Sequence, residues 1–151
     1  MKSFRFFLLT VAALLALTSC DFYPVVVTVY VTDEAGHDRL DPGSEYFIGE
    51  NIRAVYNGNV YPVEIMVPPT KTYAAEFFGL RLRQNWSYND YYLVFGEFDG
   101  AHDQDITVTL VWPDGTSDTV HTTHTLFTPL AVINNWHLNG EKVSPPITLV
   151  K

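Results

Sequence analysis

Val25, Val27, Val29 and Val31 alternate with Val26, Thr28, Tyr30 and Thr32, and this two-residue period returns along most of the chain that follows. Successive side chains of a strand point to opposite faces, so an apolar residue at every second position marks one buried face. β-Branched residues suit the pleated backbone and strengthen the assignment of this first strand. Runs 52–56 and 60–67 are joined by Asn57-Gly58, the dipeptide most typical of a two-residue hairpin, and Pro68-Pro69 stops the second run. Segment 73–83 ends with Phe78, Leu80 and Leu82 set against Gly79, Arg81 and Arg83, an apolar face opposite a basic one. Segment 91–98 is aromatic-rich, and Ile106, Val108, Leu110 and Trp112 alternate with Thr107, Thr109 and Val111. The turn Pro113-Asp114-Gly115 leads into 117–127, and 130–138 reaches a second hairpin signal at Asn139-Gly140 before 147–150. Residues 74–82 could form a helical turn, but their Phe, Gly and alternating Leu and Arg favour a strand, and no other window of the mature chain carries a helical period. Short strands spaced by turn chemistry predict an antiparallel β-sandwich of about seven to nine strands, immunoglobulin-like or transthyretin-like, with an open barrel as the competing architecture.

The first residues obey other rules. Lys2 and Arg5 form a basic start, and 6–17 is apolar apart from Thr10. A membrane-spanning helix needs roughly 20 apolar residues, so this run has the length of a secretory signal core rather than of a span. It ends in Leu17-Thr18-Ser19-Cys20, which resembles the lipobox of bacterial lipoproteins: an aliphatic residue, two small residues, then cysteine. Small side chains admit the signal peptidase, the thiol accepts a diacylglycerol, and added acyl chains such as palmitate make the anchoring stable. Cys20 is the single cysteine of the chain, so no disulfide partner competes for it. The expected division is a signal peptide at 1–19, a lipidated cysteine and short linker at 20–24, and one domain at 25–151.

Composition bears on the partners. The chain has nine basic and seventeen acidic residues; Lys2 and Arg5 fall in the leader, which leaves seven against seventeen and a net charge of −10 on the mature part. Nucleic acid and anionic lipid headgroups both need clustered Lys and Arg, so neither is an expected partner.

Three blocks carry a resemblance. Residues 29–42 (Val29-Tyr30-Val31-Thr32-Asp33 through Asp41-Pro42) lead to Ile52-Arg53-Ala54-Val55-Tyr56-Asn57-Gly58 and Tyr61. Leu93-Val94-Phe95-Gly96-Glu97-Phe98-Asp99-Gly100 leads to 106–118, and Trp136-His137-Leu138-Asn139-Gly140 closes the set. Together they resemble small lipoproteins of the Bacteroidetes type. That resemblance implies no activity and brings no catalytic residues across. It implies an outer-membrane anchor, because in such lipoproteins acidic residues after the cysteine, here Asp21, accompany surface display. In proteobacterial lipoproteins an Asp at that place favours the inner membrane instead, so which membrane, and which face, stays open.

Several constellations suggest chemistry. His121 and His124 have metal-pair spacing, but positions three apart on a strand point to opposite sides, so one ion is not readily shared; His137 or His102 could approach one of them in the fold. Asp99, Asp103 and Asp105 crowd one loop, where oxygen ligands suit Ca²⁺, yet the spacing departs from an EF-hand and such residues also serve turns. Asp33, Glu34, Asp38 and Asp41 form a second loop of that kind. Among seventeen acidic residues, carboxylate pairs of the sort glycosidases use arise by number alone. No nucleophile elbow, phosphate loop or zinc signature is present, so neither an enzyme nor a cofactor is expected.

Trp86, Tyr88, Tyr91 and Tyr92 crowd a short polar segment. Flat rings stack on sugar faces or anchor protein contacts, and they also pack over the ends of sandwiches; both readings fit. Asp118-Thr119-Val120 matches the short acceptor pattern for O-glycosylation in exported Bacteroidetes proteins. The expected function is a non-enzymatic envelope module that binds glycan or protein. The rival is a structural or adhesin subunit assembling through strand edges.

Overall fold

The computed structural model describes residues 24–65, 77–85, 87–128 and 131–151. Residues 1–23, which include the expected signal peptide and Cys20, the stretch 66–76, Trp86 and residues 129–130 lie outside them. Eleven strands follow in order: β1 Val25–Thr32, β2 Arg53–Tyr56, β3 Asn59–Pro62, β4 Glu64–Ile65, β5 Leu80–Asn85, β6 Asp90–Phe98, β7 Gln104–Val111, β8 Ser117–Thr128, β9 Ala131–Leu138, β10 Glu141–Val143 and β11 Ile147–Val150, with one 3₁₀ turn at Gly49–Asn51. They form a five-stranded sheet, β11-β1-β6-β5-β4, and a six-stranded sheet, β10-β9-β8-β7-β2-β3. The expected β-sandwich is the architecture observed.

The sheets meet through the alternation visible in the sequence. Val25, Val27, Val29 and Val31 are buried on β1, as are Leu80 and Leu82 on β5, Leu93 and Phe95 on β6, and Ile147 and Leu149 on β11. They share one core with Ile52, just before β2, and with Ala54, Ile106, Val108, Leu110, Val120 and Trp136 of the other sheet. Each fully buried aliphatic side chain contributes about 1.5–3 kcal/mol of transfer free energy, so this face-to-face contact is the main cohesive term. Thr122 lies on the same inner face with its hydroxyl buried and no hydrogen-bond partner among the described residues.

Both Asn-Gly dipeptides form the expected hairpins. Asn57 (φ 49°) and Gly58 (φ 76°) join β2 to β3, and Asn139 (φ 52°) and Gly140 (φ 86°) join β9 to β10. Positive φ at both central residues matches the twist of the flanking strands.

The structure departs from expectation in three places. The run 60–67 is not one strand: Val63 separates β3, at the edge of the six-stranded sheet, from β4, at the edge of the other. Val63 packs against the core and donates its N–H to the Ile52 carbonyl at 3.1 Å, which turns the chain from one sheet to the next. This crossing, with the short β10, accounts for more strands than expected. Two pairings are parallel, β1 with β11 and β4 with β5. β6 also carries a bulge: Val25 faces Phe98 while Val27 faces Phe95, so Gly96 and Glu97 together oppose one residue of β1. Gly96 takes φ 74°, the left-handed conformation such a bulge uses.

The bulge turns Phe98 inward to complete a knot of five rings. Tyr56, Tyr61, Phe77, Phe95 and Phe98 meet at centroid separations of 5.4–6.3 Å, mostly edge to face. These rings close the space between the sheets near the start of β1.

Candidate functional site: the outer face of the five-stranded sheet

Strand alternation divides the tyrosines that the sequence places side by side. Leu93 and Phe95 point inward on β6, so Tyr91 does too, and its ring packs against the core. Tyr92 points outward. Its ring lies 5.4 Å from that of Tyr30 on β1, tilted by 31°. On β5, Leu80 and Leu82 are buried, which leaves Arg81, Arg83 and Asn85 outside; Arg83 is the cross-strand partner of Tyr92, and Asn85 that of Asp90. Tyr88 stands in the β5–β6 turn and is 80% exposed. Trp86, the fourth ring of the expected cluster, lies outside the described residues.

The polar groups around the Tyr30–Tyr92 pair are held in place. Burial pushes the Tyr30 hydroxyl above its ordinary range, a hydrogen bond from the Asn85 amide opposes this, and the nearby Asp90 and Tyr92 reinforce it. Asn85 also orders the turn, accepting the Ser87 N–H on its side chain at 3.2 Å, while the Gln84 amide donates to Asn89 Oδ1 at 3.0 Å. Arg81 has an ion-pair partner: its Nε donates to Glu64 Oε2 at 3.0 Å and its guanidinium lies 4.5 Å from the centre of the Phe78 ring. Arg83 has no ion pair among the described residues. The result is a half-buried aromatic pair with Arg83 across from Tyr92, and with Asn85 and Asp90 one step along the same face toward the β5–β6 turn. Tyr30 was not singled out in the sequence, because its place beside Tyr92 depends on the β1–β6 register.

The acidic loops serve backbone geometry. Asp99 accepts the Ala101 N–H at 2.8 Å and contacts His102 Nδ1 at 2.9 Å, and the first of these bonds, with His102 second, holds its carboxyl below the usual range. Asp103 accepts the Leu126 N–H at 2.8 Å, and Asp105 lies 2.9 Å from His121 Nε2. The three carboxylates are thus directed to separate partners and are not brought together. In the other acidic loop, Asp33 is held below the usual range chiefly by the His37 side chain at 2.7 Å, and Asp38 accepts the Leu40 and Tyr91 N–H groups, both at 2.8 Å. That last bond fastens the loop to β6.

The histidines separate as strand geometry requires. His124 is buried, with Nδ1 2.7 Å from Asn134 Oδ1 and Nε2 2.9 Å from the Gly100 carbonyl. His121 sits on the opposite, outer face of the six-stranded sheet, stacked on its cross-strand partner His137 at 5.6 Å. Among the described residues, no three His, Cys, Asp or Glu side chains converge to hold a metal ion. Thr119 of the glycosylation-like triplet is half-buried within β8, and Asp118 before it is buried.

Fold and face together define a β-sandwich with a tyrosine-bearing outer sheet. No family model, curated protein or solved structure matches the chain.

Proposed function

We propose that this protein is a lipid-anchored cell-envelope module, held through Cys20 at the outer membrane, that binds a glycan or protein ligand without catalysing a reaction. The observation that carries the binding half is the Tyr30–Tyr92 pair beside Arg83, which has no ion pair among the described residues. Aromatic rings on an outer sheet face are not needed for cohesion between the sheets, and rings flanked by hydrogen-bonding side chains suit sugar or protein surfaces. Assembly through strand edges has less support. The β3 edge is short and ends in Pro62, which has no N–H to offer a neighbour, and β11 spans only four residues.

Full-length protein in detergent, passed over an array of neutral and acidic oligosaccharides, tests this reading. Retention of one sugar class is expected, weakened at least tenfold by Tyr92→Ala and unchanged by His137→Ala on the other sheet. Equal retention of the native and Tyr92→Ala proteins would overturn it.

A further inference from the structure

Arg83 differs from its neighbour in a way that bears on ligand class. Two arginines face outward on β5. Arg81 is paired with Glu64 through its Nε–H and lies over Phe78, so its charge is balanced. Arg83 is balanced by nothing among the described residues, although the whole chain carries seventeen acidic residues against nine basic ones. Asp90 is on the same face, yet it is opposite Asn85 rather than Arg83, makes no ion pair with it, and keeps its Oδ1 buried without a partner. In so acidic a protein, an outward guanidinium with no ion pair among the described residues, set beside the Tyr92 ring, is a donor fork suited to an external anion.

Resting on the binding reading above, we propose that the ligand is a glycan bearing carboxylates, a uronic-acid sugar whose ring stacks on Tyr92 and Tyr30 while its carboxylate pairs with Arg83. The chemistry fits in three ways. A guanidinium presents parallel N–H groups that match a carboxylate in two-point fashion. The C–H face of a pyranose suits an aromatic surface. Asp90 sets the direction: its charge keeps the sugar carboxylate on the Arg83 side and leaves the hydroxyl edge toward Asn85. A protein partner would need a larger apolar patch, whereas Tyr92 and Tyr30 are only partly exposed and are bordered by polar side chains.

Calorimetric titration of the full-length protein in detergent separates these possibilities, using trigalacturonic acid and its methyl ester, which keeps the ring and removes the charge. The acid is expected to bind at least tenfold more tightly than the ester at low salt. Arg83→Gln should abolish that preference, and Tyr92→Ala should weaken both sugars. Tyr92→Phe keeps the ring and should bind like the native protein. Equal affinity for acid and ester, both lost in Tyr92→Ala, overturns the acidic-sugar assignment and leaves the tyrosine face as the binding surface. Binding of neither sugar, with native-like array behaviour of Tyr92→Ala, overturns both.

Discussion

Gly96→Ala is expected to lower the stability of the domain by about 3–5 kcal/mol, a large part of the roughly 5–15 kcal/mol that holds a domain folded. Two costs combine. At φ 74° a residue with a Cβ is in a sparsely populated region. The added carbon would also stand 2.1 Å from Phe98 Cε2, 2.7 Å from Cζ and 2.8 Å from Cδ2. An isolated ring could swing away. Phe98 cannot, because Tyr56, Phe77 and Phe95 pack against it at 5.5, 5.6 and 6.3 Å. Gly115 is the control: it has a similar φ of 84° but nothing within 4 Å of a built Cβ, so its alanine variant bears the conformational cost alone, about 1 kcal/mol. Denaturant midpoints of the two variants measure the difference. If Gly96→Ala is no worse than Gly115→Ala, the packing of Phe98 is not as tight as described.

The second large effect is at Asp118, which is 8% exposed on β8. Its Oδ2 accepts from Trp112 Nε1 and Lys151 Nζ, each at 2.6 Å, and its Oδ1 from Asn139 Nδ2 at 2.7 Å. One carboxylate thereby ties the β7–β8 turn, the β9–β10 hairpin and the residue after β11 to one another. Asp118→Ala removes the acceptor for three donors and is expected to cost about 2–4 kcal/mol. Burial by itself would push this carboxyl up; the bonds from Lys151, Asn139 and Trp112 outweigh it and hold the group below the ordinary carboxylate range. The sign follows from linkage. A carboxyl whose folded value lies below its unfolded value contributes fully above the unfolded value, about pH 4, and loses that contribution as the pH falls through the folded one. Thermal unfolding between neutral and acid pH should therefore show Asp118→Asn losing stability less steeply than the native protein as the solution becomes acidic. Parallel curves would mean that the Lys151 pair adds nothing.

The sandwich was legible because its causes are local. Alternation in β1, β7 and β8 and the two Asn-Gly turns each depend on residues adjacent in sequence. What stayed hidden depends on residues far apart. The parallel seat of β11 beside β1 is decided by how the last strand closes the sheet, and Val63 leaves no mark of the crossing that splits its run. The candidate site was half legible for the same reason. Tyr91 and Tyr92 were grouped by nearness along the chain, whereas the pleat sends one inward and the other out to meet Tyr30, sixty-two positions earlier. Gly96 did carry a signal that could have been read, since a lone glycine within a strand pattern often marks a bulge.

That this sandwich works at a membrane is tested most directly by growing bacteria that express the full chain with an alkyne-tagged palmitate and separating membrane from soluble fractions. The native protein is expected to take up the tag and to stay in the membrane fraction, outer membrane foremost. Cys20→Ala should carry no tag and migrate at the larger mass of an uncleaved precursor. A Cys20→Ala protein that is still tagged, or a native protein that is untagged and released as a soluble species, would contradict anchoring at Cys20.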